Sequence, residues 1–178
     1  QLTAQNNMVI CNCTTPANMF HALRRQQMWE FRKPLVVFTP KSLLRHAQCT
    51  STADDFTKGS FQELIDDSSV AKKNVKKVIV CTGKVYYDVL EKREENKSEK
   101  VGILRVEQLY PFAEEKLKKI LSEYSSNIEL VWLQEEPENM GAWYFIRDKV
   151  LKMGREIRVI SRKESASPAT GANQKHKE

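Results

Sequence analysis

The residues of this chain best placed to do chemistry are Lys84, Glu107, Gln108, Gln134, Glu135, Glu136 and Arg162, because each stands just after a short apolar run that reads as a strand. In an open α/β sheet the carboxyl ends of the strands share one rim, and ligands bind in the crevice beside it. Gly83 and Ser165 belong to the same predicted rim. A cation, an amide and a carboxylate in one neighbourhood suit either a polar ligand site or an ion-paired interface cluster. Thr82-Gly83-Lys84 has the end of a phosphate loop, yet the first glycine of GxxxxGK[ST] is missing and Val85 stands where the hydroxyl residue belongs. Glu135 and Glu136 are adjacent, so on an extended strand they point to opposite sides and cannot act as a pair on one substrate atom. No GxSxG, HExxH or EF-hand pattern occurs. His21 has no second ligand at metal spacing, and neither it nor His46 is assigned a catalytic role. These rules give a mixed-charge rim, no catalytic set and no metal site.

Several elements must position that rim. Ile128, Leu130, Val131, Trp132 and Leu133 form a nearly continuous apolar run that stops at Glu135, Glu136 and Pro137, as a strand buried in a parallel sheet does. A helix follows with Ala142, Trp143, Ile146 and Val150 facing inward and Gly154 as its stop. Further strands are expected at 75–81, 101–106 and 157–160, with helices opening after Gly83 and Pro111. Four strands alternating with three helices predict an α/β fold, a three-layer sandwich with a mostly parallel sheet. Upstream, residues 8–13 read as a strand, and Thr14-Thr15-Pro16 supplies a threonine cap and a first-turn proline for a helix over 16–28. Phe20 and Leu23, with Ala17 or Met19 beside them, mark its packing face. Leu35, Val36, Val37 and Phe38 predict a strand buried on both faces. Residues 47–76 lose periodicity and read as a surface connector, anchored by Phe56, Phe61, Leu64 and Ile65.

Composition excludes several classes. The net charge is +6, but basic residues are interleaved with acids, as in 91–100, so nucleic acid is not an expected partner. No apolar run approaches the roughly 20 residues of a membrane helix, so no membrane association is expected. The four cysteines, Cys11, Cys13, Cys49 and Cys81, lack paired CxxC spacing and read as small core thiols in a reducing compartment. The start at Gln1, within an incomplete first domain, suggests a piece of something longer.

Thr14-Thr15-Pro16-Ala17, His21-Ala22-Leu23-Arg24-Arg25-Gln26, Arg32-Lys33-Pro34-Leu35 and Thr39-Pro40-Lys41-Ser42-Leu43-Leu44-Arg45-His46 occur in order in the first part of the chain. Thr82-Gly83-Lys84-Val85-Tyr86-Tyr87-Asp88, Arg105-Val106-Glu107-Gln108-Leu109-Tyr110-Pro111-Phe112, Gln134-Glu135-Glu136-Pro137, Asn139-Met140-Gly141-Ala142-Trp143 and Ser165-Ala166-Ser167-Pro168-Ala169-Thr170-Gly171 follow. Together these blocks resemble the C-terminal part of the thiamine-diphosphate-dependent 2-oxoglutarate dehydrogenase (decarboxylating) family, which is transketolase-like.

The resemblance implies an oxidoreductase of the tricarboxylic acid cycle. It would decarboxylate 2-oxoglutarate on thiamine diphosphate with magnesium and pass the succinyl group to the lipoyl arm of dihydrolipoyl succinyltransferase. Residues 1–45 would end a pyrimidine-binding domain, 46–76 would connect, and 77–178 would be the transketolase C-terminal-like domain. The family's cofactor and substrate residues fall upstream of Gln1, so no cofactor is expected within these residues, and the isolated piece is expected to be inactive. Its own roles would be assembly and effector binding, since some relatives bind acyl-CoA or nucleotide near this domain. The implied partners are the upstream domains, a homodimer partner and the succinyltransferase. The implied location is the cytoplasm of a bacterium or the mitochondrial matrix of a eukaryote. The resemblance would also have the family's extension after the Ser-Ala-Ser-Pro segment shortened at Glu178. The other reading is a free-standing α/β small-molecule-binding or regulatory module.

Overall fold

Thr15 accepts a hydrogen bond from the Asn18 amide, and Pro16 fits the first turn, so the first helix starts where its cap dictates. The computed structural model describes residues 2–171. In chain order the elements are β1 (Val9–Cys11), α1 (Pro16–Met28), β2 (Leu35–Val37), a 3-10 turn at Lys41–Arg45, α2 (Ala53–Thr57) and β3 (Leu64–Ile65). A second 3-10 turn at Lys72–Asn74 leads to β4 (Lys77–Cys81), α3 (Val85–Glu95), β5 (Val101–Val106) and β6 (Gln108–Tyr110). The chain continues through α4 (Glu114–Ser122), β7 (Glu129–Pro137), α5 (Trp143–Lys152) and β8 (Arg158–Arg162).

Two sheets result. The larger has the order β3-β5-β4-β7-β8, with β5, β4, β7 and β8 parallel and β3 antiparallel on the edge. The smaller has the order β2-β1-β6, in which β1 and β2 are parallel and β6 is antiparallel to β1. β5 belongs to one sheet and β6 to the other, with Glu107 alone between them.

Alternation along the strands decides what each face buries. Val78 and Val80, Leu104 and Val106, and Leu130 and Trp132 join Leu117 and Leu121 of α4 and Ile146 and Val150 of α5 in the main core. Cys81 and Ile103 pack instead with Val85 of α3. Trp132 is fully buried beside Val80, its register partner on β4. A side chain of that size contributes about 3–5 kcal/mol over alanine. Gly154, at φ +74°, ends α5 in the left-handed conformation that glycine adopts without steric cost.

Four expectations need correction. On α1, Ala17 is buried and Met19 packs in part, as expected, but the other buried residues are Asn18, His21 and Ala22, whereas Phe20 and Leu23 are 44% and 49% exposed. Hydrogen bonding decides that orientation: Asn18 exchanges bonds with the Gln62 backbone, and His21 Nε2 lies 2.7 Å from the Asp55 carbonyl oxygen. β2 pairs only with β1, and Val36 is exposed, so this strand is an edge and not a doubly buried one. Residues 47–76 are not a featureless connector. Thr52 and Asp55 form a capping box at α2, and β3 adds to β5. Finally, β7 does not stop at Glu135 and Glu136 but carries both and runs on to Pro137.

Candidate functional site

The strand ends of the larger sheet face the smaller sheet across a cleft of about 800 Å³. Asn12 and Tyr110 line one side, and Lys84, Glu135, Glu136 and Phe145 line the other. Gly83, at φ +72°, makes the close approach possible: a Cβ there would lie 2.4 Å from Asn12 Nδ2. Asn12 Oδ1 is buried without a hydrogen-bond partner among the described residues.

Lys84 sits at the start of α3 and pairs with Glu135 from β7. Both side chains keep about a third of their exposure, 33% and 28%, so the pair is worth at most about 1 kcal/mol. The Glu135 carbonyl accepts from Arg162 Nε at 2.8 Å, and Arg162 Nη2 donates to the Pro168 carbonyl. Asn139 and Ser165 exchange two bonds of 3.1 Å each, and these draw the small-residue segment over the end of β7. Lys84, Glu135 and Arg162 are thus brought together, with Glu136 exposed on the adjacent wall.

Gln134 has a different place. Its Oε1 accepts from Trp132 Nε1 at 2.8 Å and from the Trp143 amide at 3.1 Å, while Nε2 donates to the Pro137 and Met140 carbonyls. It is sealed inside the turn that forms one wall of the cleft. Gly141, at φ +68°, leaves room for it, since a Cβ there would come within 2.9 Å of Oε1.

Glu107 and Gln108 turn to the first part of the chain, which corrects the expectation of one shared rim. Gln108 Oε1 accepts from Arg25, which lies 3.9 Å from the centre of the Phe61 ring, and Gln108 Nε2 donates to the Pro111 carbonyl. Glu107 is fully buried and accepts from the Thr14 amide, the Thr14 hydroxyl and Asn18 Nδ2. Burial pushes its pKa up, against the pull of the Thr14 and Asn18 bonds and of Arg105. The reason for the split is topological: Lys84, Glu135 and Arg162 stand at ends of the larger sheet, whereas β6 has crossed to the smaller one.

Asn12, Thr14 and Asn18 were not legible as site residues. Their sequence signal is only that polar residues flank a cap, and their burial depends on the second sheet. Burial raises the Cys11 and Cys81 thiols to about 12, so both are protonated and unreactive near neutral pH. Among the described residues no group of three His, Cys, Asp or Glu side chains could hold a metal ion.

A family model described as the 2-oxoglutarate dehydrogenase C-terminal domain matches residues 50–178, and one described as the transketolase pyrimidine binding domain matches residues 1–47. The 2-oxoglutarate dehydrogenase E1 component of Cupriavidus necator is 44% identical over 100% of this chain and 19% of its own length. Those of Haemophilus influenzae (44%, 96% of this chain, 19% of its own length) and Azotobacter vinelandii (42%, 100%, 20%) are similar in the same way. The chain spans about a fifth of the length of these curated relatives.

Proposed function

Because the chain belongs to the 2-oxoglutarate dehydrogenase family as its carboxyl-terminal part, we propose that the whole protein decarboxylates 2-oxoglutarate on thiamine diphosphate and succinylates the lipoyl group of dihydrolipoyl succinyltransferase. One observation carries this reading: 44% identity to a 2-oxoglutarate dehydrogenase component extends over the full 178 residues, through both matched domains in order. The complete protein would act as a homodimer, in the cytoplasm of a bacterium or the mitochondrial matrix of a eukaryote. Residues 1–45 would close the pyrimidine-binding domain, 46–76 connect it, and 77–178 form the C-terminal domain.

The residues that hold thiamine diphosphate and magnesium are placed by this reading in the rest of the enzyme, where the resemblance puts the family's cofactor motifs. Decarboxylation would be the work of those residues, and the present ones would contribute assembly and the cleft. A chimera that carries them in place of the matching fifth of the Haemophilus influenzae protein should keep 2-oxoglutarate decarboxylation within about tenfold of the parent. A folded, dimeric chimera without activity would overturn the assignment.

The cleft suits a small effector with an apolar body and a polar or anionic group, because Phe38, Tyr110 and Phe145 line it together with Lys84. An acyl-CoA or a nucleotide is the class that the family suggests. Calorimetric titration of the purified chain separates the roles. Acetyl-CoA or an adenine nucleotide should give heat that Lys84→Ala weakens, and thiamine diphosphate with magnesium should give none. Micromolar binding of the cofactor would refute this division of labour.

A further inference from the structure

Thr14 is fully buried, and each of its polar atoms is engaged by a group from the later part of the chain. Its amide donates to Glu107 Oε2 at 2.8 Å and its hydroxyl to Glu107 Oε1 at 2.5 Å. Arg105 Nη1 donates to the same hydroxyl at 2.9 Å, which fixes the hydroxyl proton on Glu107. The Thr14 carbonyl accepts from the Tyr87 hydroxyl at 2.6 Å and from Cys49 Sγ at 3.3 Å. Asn18 Nδ2 completes the set, 2.9 Å from Glu107 Oε2. From these contacts we infer that Glu107 is a positioning residue, a clamp that sets how residues 1–47 sit on the larger sheet.

Helix capping does not account for this arrangement, because Thr15 already caps α1. Glu107 bonds instead to an amide outside the helix and to two side chains. It is also the single residue between β5 and β6, so its backbone is where the chain crosses from one sheet to the other. There its carbonyl accepts from the Asn12 amide at 2.8 Å. A buried carboxylate adds little net stability but tolerates only one arrangement of donors, as a registering contact requires. Glutamine has the same shape and would turn an amide N–H toward donors that need an acceptor. In the enzyme proposed above, on which this consequence rests, the clamp aligns the pyrimidine-binding part with the C-terminal domain.

Thiol labelling of the chain itself tests the clamp without any cofactor, so its outcome is independent of whether the enzyme assignment holds. Cys13 lies beside Thr14 and is nearly buried, while Cys81 lies fully buried in β4 and reports opening of the larger sheet. With a maleimide and mass-spectrometric readout at pH 7, Glu107→Gln should label Cys13 about ten- to a hundredfold faster than wild type. Cys81 should keep its wild-type rate. Thr14→Val should behave like Glu107→Gln, and Thr14→Ser, which keeps the hydroxyl, should restore protection. Unchanged Cys13 protection in Glu107→Gln and Thr14→Val, or Cys13 and Cys81 labelling that rises together, would overturn the clamp.

Discussion

Replacing Gln134 by alanine is expected to lower stability by about 3–4 kcal/mol and the unfolding temperature by roughly 10 °C. The substitution strands two buried donors, Trp132 Nε1 and the Trp143 amide, and removes the donor that serves the Pro137 and Met140 carbonyls. The Trp143 amide is in the first turn of α5, whose cap residue Ala142 offers no side-chain bond. Gln134 therefore does from the neighbouring strand what a capping serine would do locally. Gln134→Glu would be no rescue, because a carboxylate would face the Pro137 and Met140 carbonyl oxygens. Lys84→Ala, by contrast, breaks a half-exposed ion pair and should change stability by about 1 kcal/mol or less. Scanning calorimetry of the variants decides it. If Gln134→Ala lies within about 1 kcal/mol of wild type, the buried network is not what holds the wall of the cleft.

That contrast also shows which features a sequence exposes. Leu130 to Leu133 announce a buried strand because their burial follows from hydrophobicity alone, and β7 begins as those residues suggest. Its continuation through Glu135 and Glu136 is hidden. It depends on a second stretch of pairing with β8, where Pro137 faces Arg162 after a break in register. The same holds for β3 and β6, of two and three residues, which no periodicity can reveal and which neighbouring strands define. On α1 the apolar pattern holds for Ala17 and Met19 but not for Phe20 and Leu23, since Asn18 and His21 are drawn inward by partners 34 or more residues away. Lys84, Glu135 and Arg162 were legible as neighbours because parallel strand order alone brings them together. Glu107 looked equivalent to them. One residue later the chain changes sheets, and nothing in the local pattern records that.

Self-association is the other large effect expected of this chain. Phe20, Leu23, Met28, Phe31, Val36 and Phe38 are all at least 41% exposed and all lie within the first 47 residues. Elsewhere among the described residues the exposed large apolar side chains beyond that segment are only Tyr144, Leu151 and Ile160. β2 adds an open edge, since it pairs with β1 alone and its other side leaves backbone groups free to bond a further strand. Apolar side chains exposed along α1 and β2, together with an unpaired strand edge, are what soluble monomers avoid. In the proposed full-length enzyme the remainder of the domain would cover it. In this chain a second copy is the available cover, so the scattering mass should rise with concentration. Leu23→Lys with Val36→Lys places charge on both the helix face and the strand edge, at side chains with enough exposure to leave the core undisturbed. The double variant should remain folded and scatter as a monomer over the same range. A wild-type chain that is monomeric at every concentration, with residues 1–47 protected in hydrogen exchange, would show that this face is stable in water and that the domain boundary drawn through it is wrong.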